Sequence, residues 1–172
     1  IMPIVGADLA QRISGGLTNT DPNLALGGAM STDANGVIVS GQANNDMDDI
    51  TGDENSAGIT IYHAYYYQNN HGSLTWISPV MWIESQTSSG DTSVEIAMAD
   101  EAKNVAVETV ANEETAPVGP TFSTPANKAA GLSIGSLDAG DNRGHWVKYV
   151  VNANAAAATD SYTIKAERDS NP

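Results

Sequence analysis

The stretch that most restricts how this chain can fold is residues 60–84, TIYHAYYYQNNHGSLTWISPVMWIE. Its first arm is β-branched and aromatic. Ile59, Ile61, His63, Tyr65 and Tyr67 fall on one parity and Tyr62, Ala64 and Tyr66 on the other, a pattern that favours a pleated surface. The second arm carries Leu74, Trp76 and Ile77, then Val80, Met81, Trp82 and Ile83 after Pro79. Between the arms, Gln68-Asn69-Asn70-His71-Gly72 offers the left-handed backbone tolerance of a turn, and the pair is expected to fold back on itself as a hairpin. Four of the six tyrosines and two of the three tryptophans lie in these arms. Most of the large apolar surface available for a core is therefore here.

The remaining pattern is short β-rich runs between turn signals, with helix-period stripes scarce, which indicates an all-β fold. Residues 92–99 alternate Val94, Ile96 and Met98 against Ser93, Glu95 and Ala97, as a half-buried strand does. Val105, Val107 and Thr109 suggest another strand, and residues 36–40 an early edge strand. Residues 115–125, with Pro117, Pro120 and Pro125, read as a loop or an edge connection. Leu132-Ser133-Ile134 opens the last section. Residues 143–151 read as a central strand, 152–158 as a small-residue loop, and 161–167 as the closing strand with alternating Tyr162, Ile164 and Ala166. The expectation is an antiparallel β-sandwich, either jelly-roll or Ig-like Greek key, built from residues 59–172.

Residues 1–58 are expected to form an extended N-terminal arm and an acidic loop. Single apolar residues sit among Gly, Asn, Thr and Pro, too sparse to offset the entropy of ordering the segment. It must lie on a surface, either its own sandwich or a neighbouring subunit. The residues expected to reach outside pockets are Ile4, Val5, Leu9, Ile13, Leu17, Leu24 and Leu26. If they do so on a separable arm, deleting residues 1–30 leaves the sandwich folded.

Charge narrows the partners. Acidic residues outnumber basic ones 21 to 7, a formal charge of -14, which repels phosphate backbones and disfavours nucleic acid. The chain has no cysteine, so disulfides and thiolate metal sites are excluded. No apolar run approaches the ~18 residues of a membrane span, so no membrane partner is expected. Ile1-Met2-Pro3-Ile4 lacks the basic start of a signal peptide, with Met2 readable as the initiator, and secretion by the usual route is not expected.

The candidate chemistry is thin. Residues 46–54, DMDDITGDE, concentrate hard oxygen ligands, and Asp46 and Asp48 match the first two offsets of an EF-hand loop, but Ile50 stands where the third ligand belongs. A plain solvated loop is the favoured reading. His63, His71 and His145 show no zinc-ligand spacing, so no metal or cofactor is expected; His63 and His145 read as strand residues and His71 as an exposed turn residue. Glu84, Glu95 and Glu108 could be a glycosidase's carboxylates, yet nothing separates them from acids that keep a sheet soluble. No nucleophile-elbow pattern is present, and an enzyme is not expected. Tyr65 and Tyr67 fall on one face and Tyr62 and Tyr66 on the other, so a core is favoured over an aromatic platform for sugars.

Several runs together carry a resemblance. ISGGLTNTDPNLALGGAMST, the acidic Gly-Asp-Glu loop, IYHAYYYQNNHGSLTWISPVMWI, the NEETAP turn and LDAGDNRGHWVKYVVNANA look like virion structural proteins of tailed bacteriophages, similar to capsid decoration or cement proteins. The resemblance covers most of the chain and rests on turn and strand motifs. It carries over no catalytic residue. It implies a structural virion protein on the capsid exterior, made in the host cytoplasm, that binds the major capsid protein and self-associates, a trimer being one form. The alternative is a carbohydrate- or receptor-binding sandwich that stacks sugars on Tyr66, Trp76 or Trp82.

Overall fold

The computed structural model describes residues 4–42, 46–47, 49–86, 91–154 and 160–168. Asp48 of the acidic loop, residues 155–158 of the small-residue loop and the first three residues of the expected arm lie outside the described residues. Among the described residues the chain forms seven strands: β1 (Leu9–Ile13), β2 (Ile59–Asn69), β3 (Pro79–Gln86), β4 (Thr92–Met98), β5 (Leu132–Ser133), β6 (Asn142–Val151) and β7 (Tyr162–Arg168). They make two antiparallel sheets, a four-stranded one in the order β1-β2-β6-β4 and a three-stranded one in the order β5-β3-β7. This is the expected all-β sandwich. The expected strands at 92–99, 143–151 and 161–167 are β4, β6 and β7, and β6 is central, between β2 and β4.

The expected hairpin does not form. β2 and β3 belong to different sheets, because β2 already has β1 on one side and β6 on the other. The chain instead crosses from one sheet to the other through residues 70–78, ending at Ser78 with φ 44° before Pro79. Asn69, fully buried at the end of β2, pins the crossing. Its Nδ2 donates to Leu74 O (2.8 Å) and Leu137 O (2.9 Å), and its Oδ1 accepts from His71 N (3.0 Å). His71 is half-buried rather than exposed, and its Nδ1 accepts from Ser73 N and Leu74 N.

The core between the sheets takes Ile13, Tyr65, Tyr67, Val94, Ile96 and Val147 from the larger sheet and Met81 and Ile83 from the smaller. The opposite face of the larger sheet is also covered. Ala64, Tyr66, Ala97 and Trp146 pack there against Met30, Val107 and Val110 from the loops. Burial on both faces explains why β2 reads as an almost unbroken apolar run. The parity expected for the tyrosines holds, with Tyr65 and Tyr67 in the inter-sheet core and Tyr66 in the outer one.

The front segment lies on its own sandwich, the first of the two surfaces open to it. β1 pairs with β2 from Leu9↔Asn69 to Ile13↔Tyr65, and Ile38 N donates to Gln11 O (2.9 Å), which sets residues 37–38 along the outer edge of β1. Arg12 locks this layer, with Nε on Gln68 Oε1 (2.7 Å) and Nη1 on the carbonyls of Ser31 and Asp33. Three local expectations change. Residues 36–40 form no strand beyond a single bridge from Val37 to Arg12, residues 105–109 none beyond a single bridge from Val107 to Gly28, and the acidic loop contains a short helix, α1 (Gly52–Ala57).

Candidate functional site

The loop of residues 14–32 leaves β1 and returns beside it. Gly15 N donates to Gly27 O (2.8 Å), Gly16 N to Ala29 O (3.0 Å), Thr32 N to Leu17 O (2.9 Å) and Ser31 N to Ile13 O (2.9 Å). Side chains close the gaps: Asn19 Nδ2 donates to Ser14 O and Ser31 Oγ to Asn19 O, both at 2.6 Å. The backbone packs too tightly for side chains at two points. A Cβ on Gly15 (φ +96°) would come within 2.3 Å of Leu24 O, and one on Gly27 (φ +93°) within 1.7 Å of Glu108 O. Such contacts admit only glycine. A sequence rich in Gly, Asn and Ser thus builds a bonded loop rather than a slack one.

That loop sorts the seven expected partner-binding residues. Ile13 is buried at 2% exposure and serves the inter-sheet core. Ile4 and Leu9 are half-buried against the same core, and Leu26 against the outer one. Leu17 and Leu24, within the loop, stand 60% and 57% exposed, and Val5 is 53% exposed. Three of the seven therefore present apolar surface to solvent. The other four are spent, wholly or partly, on the chain's own packing. Ala25 and Met30 of the same segment are buried as well, so deleting residues 1–30 removes β1 and core side chains and is not expected to leave the sandwich folded. An open groove of about 490 Å³ runs from Ile4, Val5 and Leu9 past Trp76 to Lys128 and Arg168.

The aromatic cluster faces inward. Tyr66, Trp76 and Trp82 are 1%, 3% and 6% exposed, so the rings expected to stack sugars are core rings. Tyr66 Oη donates to Gly28 O (2.5 Å) and accepts from Val107 N (2.8 Å), which ties two covering loops to the sheet. Burial raises its pKa, and raises those of Tyr65 and Tyr67 further.

Polar groups at the core are structural in their contacts. His63 is fully buried, its Nδ1 2.9 Å from Asp46 O, with Glu113 Oε2 3.6 Å from its Nε2. Tyr65 Oη also donates to Asp46 O (2.5 Å), and Tyr162 Oη to the Asp46 carboxylate. His145 stacks on Tyr67 with centroids 4.5 Å apart, and burial pushes its pKa down to about 3. Thr51 caps α1: its Oγ1 accepts from Glu54 N (3.3 Å), while Glu54 Oε2 takes Thr51 N (2.7 Å). The Thr51-Gly-Asp-Glu54 capping box was readable in the sequence as a helix start inside the acidic loop. Among the described residues no three His, Asp or Glu side chains gather as cation ligands. Glu84 pairs with Lys165 (3.0 Å), Glu95 with Lys148 (2.9 Å), and Glu108 accepts from Val118 N (2.7 Å).

No protein family matches the chain, and neither the curated proteins nor the solved structures contain a match to it.

Proposed function

We propose that this protein is a structural component of a tailed-phage virion, decorating the outer capsid surface by binding the major capsid protein. The observation that carries the reading is the loop of residues 14–32, whose backbone is tied down while Leu17 and Leu24 are held in solvent. Apolar side chains on an already ordered loop dock at low entropic cost, since no backbone freedom remains to be lost. Val5, beside the groove, offers a second apolar contact. The net charge of -14 suits a surface turned away from packaged DNA and toward a partner with basic patches.

The sugar-binding alternative loses its stacking rings, because Tyr66, Trp76 and Trp82 fill cores. The proposal is tested by adding the purified chain to phage capsids that lack it and measuring bound copies per capsid subunit. Saturable binding by the wild type, lost in a folded L17D/L24D variant, is the expected result. Absence of binding, or equal binding by the variant, rejects it.

A further inference from the structure

The two sheets treat their edges differently. The outer edge of β1 carries residues 37–38, and that of β4 exchanges two hydrogen bonds with Ser123 (2.9 and 3.0 Å). β5 is only two residues long. β7, seven residues long at the end of the three-stranded sheet, is different.

Its free backbone groups can be identified. Pro79 O accepts from Ile134 N (2.9 Å) and Ile83 N donates to Pro125 O (2.8 Å), so alternate residues of β3 turn their polar groups away from β7. The β7 residues opposite them, Arg168, Ala166 and Ile164, must then turn theirs outward. The carbonyl of Arg168 meets Lys128 Nζ. Among the described residues nothing bonds to Ile164 or Ala166 across that edge. An exposed edge of this kind is a template for another strand.

We propose that the occupant is a second copy of this chain, with the two β7 strands pairing antiparallel about a two-fold axis at Ala166. The charges choose the register. With Ala166 opposite Ala166, Ile164 faces Arg168 as a hydrogen-bonding pair, and Lys165 faces Glu167 twice, in the pairs whose side chains stand closest. Centring on Lys165 sets Lys against Lys, centring on Glu167 sets Glu against Glu, and centring on Ile164 leaves Lys165 facing Thr163. Of these registers only the one centred on Ala166 sets Lys165 of one copy against Glu167 of the other, adding to the pair these two already make within each chain (3.1 Å). It joins two three-stranded sheets into one and places the neighbour beside the groove that Val5 and Ile4 line. A self-complementary patch of this form closes as a dimer. The inference stands independently of capsid binding.

Sedimentation of the full chain across the micromolar to submillimolar range tests it, with far-UV circular dichroism confirming the fold of each variant. Wild type should dimerise. Glu167→Lys should weaken the dimer by about tenfold or more, since two attractive pairs become repulsive. The swap K165E/E167K should recover it. Ala166→Pro, which removes an outward N–H that no described residue uses, should weaken it as well. A monomeric wild type, a Glu167→Lys variant that dimerises as well as wild type, or a swap no better than the single change overturns the proposal.

Discussion

Asn69 shows how much one side chain fixes in this molecule. Its amide holds the carbonyls of Leu74 and Leu137 at the point where the chain changes sheets. Asn69→Ala leaves the half-buried carbonyl of Leu74 without this donor and removes a buried bond to Leu137 O, and equilibrium denaturation should show a loss of roughly 1–2 kcal/mol. His145 provides a second test at this scale. Its folded pKa is lowered to about 3 by burial, below the ordinary value of 6.5, so between those two pH values the unfolded chain binds more protons than the folded one. Stability must therefore fall as pH drops through 6.5 toward 3, by up to about 1.4 kcal/mol per pH unit from this group. His145→Gln should flatten that slope between pH 6.5 and 5, where most carboxylates are still ionised. An unchanged slope in denaturation curves would place the titration elsewhere. Asp141 acts lower down: hydrogen bonds from Lys103 and Asn104 hold its pKa at about 2, so its contribution is lost only as pH falls from the usual carboxylate range through about 2.

Among the elements, β4, β6 and β7 were legible because each alternates over its full length or carries a dense apolar run. The partner of β2 was not. Alternation specifies which face of a strand is buried but not which strand lies beside it, and turn chemistry at Asn69-Asn70-His71-Gly72 suits a crossing as well as a hairpin. The front segment was misjudged by counting apolar area alone. Besides the burial of Ile13, Ala25 and Met30, its order comes from hydrogen bonds by Arg12, Asn19 and Ser31 and from glycines that let backbones touch, neither of which adds to an apolar count. The expectation that seven residues reach outside pockets rests on that same apolar count, which does not separate Ile13, which the core takes, from Leu17 and Leu24, which it does not. The separation makes a prediction. Ile13→Ala should cost about 2–5 kcal/mol in denaturant, as a buried aliphatic truncation does. Leu17→Ser and Leu24→Ser should each stay within about 0.5 kcal/mol of wild type.

For the molecule as a whole, the front segment and the sandwich make one cooperative body, because Ile13, Ala25 and Met30 contribute to the cores that the later strands fill. What the chain would offer a partner is therefore a preformed surface: exposed leucines on a bonded loop and a groove beside Val5, on a molecule of net charge -14. Basic contacts across such a surface should make association slower as salt rises. The most direct test is occupancy on the shell. Capsids lacking this protein, incubated with the wild-type chain and imaged for added density, should fill at regular outer sites, and the L17D/L24D variant should leave those sites empty while remaining folded. Bare capsids after incubation with wild type, or full sites with the variant, would contradict the account.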